Sequence, residues 1–469
     1  MTEIVQNNTE DVKILCLING SLMHMEDVWN KYASNKNEDC TIPKEELLVN
    51  SIDSNSKIIK KKITKINRKK ISKLKEIRLE NGYMIHVTDD QHLLKIDGWT
   101  NNLNVGDFVC IPKKLYNCHE KCKLNVSASL AYVLSWQIGE GCESTSNTTV
   151  NIYQDDIKIL EKIQKEAKNI GLIYDLKMNS LAVRKRKNHK HEKAHEISIG
   201  SVAYINFLKK NGFDYGHTAR WKSIPDFIMN ATIDCIKLFL RAYFDAEAWM
   251  DVKGGEIEIS SASQMIIRQL DVLCRLVGIN MRTKMKMKMA TNGKRIKRPY
   301  WIGLISGPSL RIFLKEINFE VDYKKRDLEI ACKRTCNTNI DVIPITKKLQ
   351  EIYNETQLPK RRFIDFSYIK IKKRKKKIQL PTIDMLTKTI ENLKDDLNDN
   401  LLITNYNLEQ KINFIEKSIA DLQKEIVKEV YYIPIKSITE KIVDEYIYDF
   451  EIEDTYNYVL GGVLVYSKK

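Results

Sequence analysis

Two segments of this chain share one layout, and this duplication restricts the possible folds more than any other feature of the sequence. In residues 133–141 an apolar stretch ends at Glu140, and in residues 240–248 an apolar stretch ends at Glu247. The pattern predicts helices over 130–139 and 236–245, with strands after the second helix at 256–261 and 280–289. Recurrence at a spacing of roughly 100 residues predicts two copies of one helix-then-sheet unit.

The acidic ends of the two predicted helices indicate a shared site. Small residues occur where a close helix pair would need them, at Ser135, Gly139, Ala242 and Ala246. Glu140 and Glu247 would then meet, and neighbouring carboxylates are usually held together by a divalent cation. Two metal-bound carboxylates can activate water and stabilise a leaving oxygen in phosphodiester hydrolysis. For either segment alone, a core helix that ends at an exposed acid is the alternative.

Charge favours a nucleic acid as the partner. The net charge is +16, and basic proteins gain affinity for polyanions through counterion release. Residues 282–289 alternate cations with methionines, which predicts a strand with its basic face along DNA and its methionine face on helices. A lysine-protected edge strand is the alternative. The predicted DNA-binding cations are Arg282, Lys284, Lys286, Lys288 and Arg298, with Arg184 and Arg186 at the comparable place in the first unit.

The two ends of the chain differ from its middle. Residues 16–115 show short strands and turns without a long helical period, and strand-like sequence returns over 431–469. Cys16 begins a segment of small residues, residues 87–94 include His92, and residues 103–109 and 448–465 complete the pattern. Together these segments resemble the sequence blocks of inteins, the self-splicing domains of Hint type.

The intein resemblance implies acyl chemistry at Cys16. In that family the leading Cys attacks the preceding carbonyl, and a Thr-x-x-His block polarises the same amide. Here Asp89 stands three positions before His92, whereas Thr88 stands four positions before it. An acyl shift or hydrolysis at Leu15–Cys16 is the most that this arrangement implies.

The last block departs from the pattern of splicing inteins. Those inteins end in His-Asn, because the Asn side chain cyclises to release the intein. Tyr466 and Ser467 occupy the two positions here, and serine cannot form that succinimide. The resemblance therefore implies an intein-derived domain that has lost its C-terminal splicing residues and is not expected to complete splicing.

Residues 133–141 and 240–248 resemble the two motifs of LAGLIDADG (DOD-type) homing endonucleases. The resemblance implies that Glu140 and Glu247 are catalytic acids that bind Mg²⁺ or Mn²⁺, although most members use Asp. Lys222 lies in a block similar to the family's Lys-x-Ile-Pro and would approach the active site; a surface lysine is the alternative. Asp245 fills the family's other acidic position, as a cap or orienting group, and Ala248 replaces the usual closing glycine.

We therefore predict a multidomain chain. An all-β Hint-like splicing domain is assembled from both chain ends, 16–115 and 431–469. It surrounds an α+β LAGLIDADG endonuclease of two pseudo-symmetric halves at 125–340 and a basic, helical linker segment at 345–430 with two amphipathic helices. Residues 1–15 are predicted to be a leader or N-terminal flanking segment. Cys118, Cys122, Cys332 and Cys336 could form a zinc site, although lone reduced thiols are commoner.

The expected function is metal-dependent, site-specific cutting of a long double-stranded DNA target. A monomer suffices, because the duplication supplies both half-sites. The sequence has no long apolar run and its cysteines are scattered, which predicts a soluble intracellular protein without a membrane partner, cytoplasmic or, in a eukaryote, nuclear. The alternatives are a catalytically silent DNA- or RNA-binding relic and an autoprocessing protein that acts at Cys16.

Overall fold

The computed structural model of the protein combines strands and helices along the whole chain. It describes residues 15–117, 125–143, 149–173, 175–180, 195–213, 219–289, 297–333, 341–356, 380–398 and 408–467. Several predicted features lie outside these residues, namely the flanking segment 1–14, Arg184, Arg186, Cys118, Cys122, Cys336 and the basic run at 369–377.

Residues 15–112 form eight short strands, one long strand of 22 residues and one helix. These are β1 (Leu15–Ile18), β2 (Ser21–His24), α1 (Met25–Tyr32), β3 (Cys40–Thr41), β4 (Leu48–Ile52), β5 (Ile58–Leu79), β6 (Met84–Val87), β7 (Leu93–Lys95), β8 (Gly98–Thr100) and β9 (Phe108–Pro112). The expectation of purely β structure is wrong at α1. This helix has 8 residues. Its buried residues follow the i, i+3, i+4, i+7 spacing of an amphipathic helix, a signal that the sequence reasoning overlooked, at Met25, Val28, Trp29 and Tyr32.

The middle of the chain repeats one order of elements, which confirms the predicted duplication. The first copy contains α2 (Ala128–Glu140), β10 (Gly141–Glu143), β11 (Thr149–Gln154), α3 (Ile157–Asn169), β12 (Asp175–Ser180), β13 (His195–Gly200) and α4 (Val202–Lys210). After α5 (Asp226–Met229), the second copy contains α6 (Ile233–Glu247), β14 (Ala248–Asp251), β15 (Glu256–Ser261), α7 (Gln264–Leu276), β16 (Arg282–Met289), β17 (Lys297–Ser306) and α8 (Pro308–Glu316). The two sheets have equivalent strand orders, β10-β11-β13-β12 and β14-β15-β17-β16.

A helical unit follows the second copy. It consists of α10 (Thr346–Thr356), α11 (Ile383–Asn398) and α12 (Leu408–Val427), after α9 (Asp322–Cys332). The predicted apolar stripe of the first amphipathic helix is buried at Leu386, Ile390 and Leu393, and that of the second at Ile415, Ile419 and Leu422. Helices that bury such stripes against each other are stabilised by packing rather than by intrinsic propensity.

The last strands are β18 (Val430–Ile452), β19 (Asn457–Leu460) and β20 (Val463–Tyr466). They join the N-terminal strands in a 12-stranded sheet with the order β2-β1-β19-β20-β7-β9-β18-β5-β3, to which β4, β6 and β8 are added at the side. We call α1, β1–β9 and β18–β20 the outer unit, and α2–α9 with β10–β17 the central unit.

Two apolar cores support this arrangement. One lies within the outer unit and includes Trp29, Ile77 and Phe450. The other runs through the central and helical units and includes residues of the outer unit such as Cys110 and Tyr432. No helix within the described ranges has the length and apolar character needed to cross a membrane.

Candidate functional site

The helices α2 and α6 pack closely because small residues line their contact, as predicted. The Ser135 hydroxyl donates to the Ala131 carbonyl oxygen of its own helix at 2.6 Å and shares that hydrogen with the Phe239 carbonyl oxygen of α6 at 3.1 Å. A methyl group added at Gly139 would lie 2.9 Å from the Ala246 Cβ and 3.4 Å from the Glu247 Cγ, distances that force one helix away from the other. Gly139 therefore allows the acidic ends of the two helices to approach each other.

The two acids at these helix ends are electrostatically coupled. Burial, followed by the negative charge of Glu140, raises the pKa of Glu247 to about 7. The pKa of Glu140 is also raised, mainly by partial loss of hydration, although this side chain still reaches solvent. Both glutamates therefore ionise less readily than exposed glutamates. A nearby cation would stabilise their charged forms.

A lysine from another segment of the chain binds the C-terminal end of each of the two helices. Lys222 donates from Nζ to the carbonyl oxygens of Ile138 at 2.8 Å and Gly141 at 3.3 Å. Lys324 donates from Nζ to the carbonyl oxygens of Asp245 at 2.6 Å and Ala248 at 2.7 Å. An ammonium group at this end of a helix satisfies free carbonyls and complements the helix dipole.

Lys324 was missed by the sequence reasoning. Burial lowers its pKa, while Asp245, Glu140 and Glu247 oppose that effect. A signal was present, because Lys222 follows Glu140 by 82 positions and Lys324 follows Glu247 by 77 positions. The duplication therefore predicts a second lysine, but no Lys-x-Ile-Pro block marks it.

The Asp245 carboxylate is hydrogen-bonded to the backbone of the segment before α9. It accepts hydrogen bonds from the backbone N–H groups of Glu320, at 2.8 Å, and Val321, at 3.2 Å. Burial raises its pKa to about 6, although these two hydrogen bonds act in the opposite direction. These hydrogen bonds hold the segment that enters α9 and carries Lys324.

The predicted basic strand is β16, and its cations share one face with acids that the sequence reasoning overlooked. Register through β17 places Arg282 in one row with Glu258 of β15. Lys288 lies 3.2 Å and Lys286 lies 3.7 Å from Glu258, and Arg282 lies 3.4 Å from Glu256. Lys284 lies between these cations in the alternation, and Arg298 of β17 is opposite Lys288. The alternation Glu256-Ile257-Glu258-Ile259 was the available signal.

The prediction that the methionine face of β16 packs on helices is wrong. Met285, Met287 and Met289 are 51%, 54% and 49% exposed. The reason lies in the pairing of the strands. Residues 285–289 pair only with residues 297–301 of β17, whereas β15 pairs with residues 301–306. The far half of β16 and β17 is therefore a two-stranded hairpin that extends beyond the sheet.

Cys16 lies in the interior of the outer unit. Its side chain is 1% exposed, and its thiol donates to the carbonyl oxygen of Val459 at 3.4 Å. The carbonyl oxygen of Leu15, in the bond that acyl chemistry would attack, accepts a hydrogen bond from the Gly461 N–H at 2.9 Å. β1 and β19 are paired here, so strands from both chain ends surround the predicted splice position.

The residues predicted to polarise this bond engage other groups. Asp89 forms an ion pair with Lys75 at 2.8 Å and is 62% exposed, whereas Cys16 is buried. Thr88 donates from its hydroxyl to Asp90 at 2.5 Å. The His92 ring packs against the ring of Tyr466, with centroids 6.3 Å apart. Of Thr88, Asp89 and His92, it is His92 that lies beside Tyr466, and its neighbour Gln91 donates from its side-chain amide to the Tyr466 carbonyl oxygen.

The two C-terminal positions have structural partners. The backbone N–H of Tyr466 donates to the His92 carbonyl oxygen at 3.0 Å, and its ring lies 5.5 Å from that of Trp99. Ser467 is fully buried, and its hydroxyl donates to the Phe450 carbonyl oxygen. Both side chains therefore contribute to the packing of the outer unit.

The donor set at the ends of α2 and α6 fits a hard divalent cation. Glu140 and Glu247 offer carboxylate oxygens, which Mg²⁺ and Mn²⁺ prefer, and a cation would offset the burial that raises both pKa values. Across the described ranges, no group of three or more His, Cys, Asp or Glu side chains is placed to bind a metal. Further ligands would have to be water, backbone or substrate oxygens.

Comparison with known proteins finds relatives of much greater length. The chain is 27% identical over 409 residues to the replication factor C small subunit of Methanocaldococcus jannaschii, a match that covers 84% of this chain and 20% of the relative. It is 22% identical over 456 residues to a probable translation initiation factor IF-2 of the same organism, covering 88% of this chain and 36% of the relative. The chain thus spans a minor part of both relatives.

Two kinds of solved structure are also similar. The homing endonuclease I-DmoI is 15% identical and aligns with 44% of this chain and 99% of its own, with a TM-score of 0.29. A mini-intein of transcription factor IIB is 21% identical and aligns with 22% of this chain and 68% of its own, with a TM-score of 0.20.

A family model described as the intein splicing domain matches residues 4–467. This match spans nearly the whole chain, including both the N-terminal strands around Cys16 and the C-terminal strands around Tyr466. The chain therefore belongs to the intein family.

Proposed function

We propose that the chain is an intein-derived homing endonuclease that makes site-specific double-strand breaks in DNA. The observation that carries this proposal is the meeting of Glu140 and Glu247 at the ends of two closely packed helices. Burial and the negative charge of Glu140 raise the pKa of Glu247, and a divalent cation bound by the two carboxylates would stabilise their charged forms.

Two features support a nucleic-acid substrate over a small molecule. One of the acids reaches solvent, so a large substrate has access to it. The hairpin of β16 and β17 carries Lys286, Lys288 and Arg298 beyond the sheet, and Lys284 lies on a row that the sheet shares with β15. These cations could contact phosphates and base edges. Because the central unit contains two copies of one fold, a monomer could contact both half-sites of a long duplex.

The chain's own groups have separable roles in this proposal. Glu140 and Glu247 would hold Mg²⁺ or Mn²⁺, which when bound supplies charge stabilisation at the scissile phosphate. Lys222 and Lys324 fix the two helix ends and add positive charge beside the acids. Asp245 holds the segment that precedes Lys324.

The test uses a plasmid that contains the uninterrupted insertion locus. With Mg²⁺, we expect the wild-type protein to linearise the plasmid at one site. The double variant Glu140→Gln, Glu247→Gln should bind the same DNA without cutting it. Glu440→Gln with Glu451→Gln, an equal charge change in β18, is the matched control and should cut normally. Binding without cutting by the wild type, in both Mg²⁺ and Mn²⁺, would favour the silent DNA-binding relic.

Autoprocessing at Cys16 is the second candidate, because the Gly461 N–H already bonds the Leu15 carbonyl oxygen at 2.9 Å. We expect at most the N-terminal acyl shift and not complete splicing, since Asp89 pairs with Lys75 and Ser467 cannot cyclise. Treating the purified protein with a small thiol tests this candidate by mass spectrometry. Release of residues 1–15 from the wild type, but not from Cys16→Ala, would establish the acyl shift.

A further inference from the structure

The turn between β5 and β6 brings the outer unit into direct contact with the predicted DNA-binding strand. The backbone N–H of Thr283 in β16 donates to the carbonyl oxygen of Asn81 at 2.9 Å. A methyl group added at Gly82 would lie 1.7 Å from the Thr283 carbonyl oxygen, and the φ of Gly82 is +90°. Only glycine permits this approach of two backbones. Because β16 is an edge strand, the turn satisfies a donor that the sheet leaves unpaired.

The next residue of the same turn completes a buried ion pair on α7. The Tyr83 hydroxyl donates to the carboxylate of Asp271, which pairs with Arg275 at 3.3 Å. Arg275 also donates to the Pro112 carbonyl oxygen at 2.7 Å and lies 4.9 Å from the Tyr83 ring centroid. Tyr83 is 6%, Asp271 7% and Arg275 1% exposed. A buried ion pair is favourable only when such additional hydrogen bonds satisfy it.

The helix α7 in turn holds the segment that carries Lys222. Ser263, at its N-cap, donates from its hydroxyl to the Lys222 carbonyl oxygen at 2.6 Å. Gln269 donates to the Ile224 carbonyl oxygen at 2.6 Å and accepts from the Ile224 N–H at 2.7 Å. One face of α7 is therefore bonded to the outer unit, and other residues of the same helix fix the backbone on both sides of Ser223.

We propose that the outer unit braces the endonuclease site. Its residues 81–83 and Pro112 fix α7 and the free edge of β16, and α7 fixes the backbone that presents Lys222 to the end of α2. This inference rests on the proposed endonuclease function. It gives the splicing-type domain a part in DNA cutting that requires no acyl chemistry, and it makes Tyr83 a positioning residue that acts through Asp271.

The decisive variant is Tyr83→Phe, which removes one hydroxyl. Tyr458→Phe is its matched control, because Tyr458 is also buried in the outer unit and donates to an aspartate, Asp449, at 2.8 Å, without crossing between units. We expect Tyr83→Phe to accelerate backbone hydrogen exchange about tenfold in peptides that cover 222–226, 264–275 and 282–286. Tyr458→Phe should leave exchange in these peptides unchanged. Equal exchange in the two variants would overturn the brace.

A second pair of variants tests the same contact through the backbone. Gly82→Ala places a methyl group against Thr283, whereas Gly98→Ala, at a φ of +114°, meets nothing within 4 Å. The two changes impose similar backbone strain in the outer unit, and only the first should accelerate exchange in β16. If Tyr83→Phe fails to fold, this pair still tests the inference, because equal exchange in β16 for Gly82→Ala and Gly98→Ala would contradict it.

Cleavage kinetics separate the brace from the endonuclease function. We expect Tyr83→Phe to reduce the single-turnover cutting rate about tenfold at saturating DNA, with a smaller change in DNA affinity, because Lys222 is displaced in the bound complex. If exchange changes but the cutting rate does not, the contact holds the units together without positioning the site. If the wild type cuts no DNA, the proposed function fails, while the exchange measurements still decide whether the outer unit holds α7.

Discussion

At the scale of single residues, the two acids at the helix ends are buried enough that their charged forms are destabilised, and neighbouring lysines offset this only in part. Burial and the charge of Glu140 raise the pKa of Glu247 from 4.5 to about 7, while Lys222 and Lys324 act in the opposite direction. Both lysines also donate to helix carbonyls. The pKa of Glu247 stays raised despite the two ammonium groups, so a bound cation would further stabilise its charged form.

This destabilisation of the charged form predicts a pH-dependent gain in stability for Glu247→Gln. A raised folded-state pKa means that the glutamate's contribution to stability is fully present below pH 4.5 and is lost as the pH rises through about 7. Without divalent cations at pH 8, the variant should be more stable than the wild type by about 1–3 kcal/mol. Urea unfolding with a chelator, at pH 8 and pH 4.5, measures this difference. A gain of equal size at both pH values would contradict the explanation.

At the scale of elements, the site depends on how closely α2 and α6 approach. Their contact includes Gly139 against Ala246 and the Ser135 hydroxyl against the Phe239 carbonyl oxygen. Close approach through small residues brings the two helix ends together, and larger residues would separate the acids. The geometry of the acids is therefore a property of the helix pair.

Gly139→Ala should separate the two helices, because the new methyl group would lie 2.9 Å from the Ala246 Cβ. We expect a loss of about 1–3 kcal/mol in the free energy of unfolding and a fall in the cutting rate that exceeds the fall in DNA affinity. The double variant Gly139→Ala, Ala246→Gly exchanges the two side chains and should recover most of both losses. Failure of this exchange to recover either quantity would mean that the helix contact is not the cause.

The face of the β15–β17–β16 sheet carries both acids and bases, so removing an acid and removing a base should change DNA affinity in opposite directions. Glu258 lies within 3.7 Å of Lys286 and 3.2 Å of Lys288, so it competes with DNA for both cations. Glu258→Gln should strengthen DNA binding. Lys284→Gln should weaken it and reduce the slope of log affinity against log salt by about 1.

Binding titrations over a range of salt concentrations measure both effects. Lys73→Gln is the control, because Lys73 pairs with Glu440 in the outer unit and loses the same charge away from β16. Weaker binding by Glu258→Gln would show that this acid contacts DNA itself, as glutamate does when it accepts a hydrogen bond from cytosine.

At the scale of the whole molecule, the two ends of the chain depend on each other. β18 pairs with β9 through Val430–Pro434 and with β5 along most of its remaining length. β1 pairs with β19 beside Cys16. The sheet of the outer unit forms only when both chain ends are present. Its contacts with α7 and β16 make the central unit depend on the same sheet.

Removal of residues 430–467 should therefore leave the N-terminal strands without their central partner. We expect the shortened chain to lose protease protection over residues 58–79, because β5 would lose its main neighbour. Supplying residues 430–467 as a separate chain should restore the protection. Unchanged protection in the shortened chain would contradict the dependence. Limited proteolysis with mass spectrometry distinguishes these outcomes.

The sequence by itself determined the features that depend on local pattern. Apolar runs that end in acids located α2 and α6, a period of two located β16, and a period of three to four located the stripe of α11. These patterns report which face of an element is buried, because burial is periodic along helices and strands. The division into five segments and the roles of the named site residues stay predictions.

Only the tertiary structure decided which elements meet. It placed Glu256 and Glu258 beside the basic face, exposed Met287 at the end of a hairpin, and brought Lys324 to the end of α6 from 77 positions along the chain. It also set Tyr83 against Asp271 across two units. Such contacts depend on how the elements pack and on where one strand is longer than its neighbours. A contact between residues far apart in sequence produces no local sequence pattern.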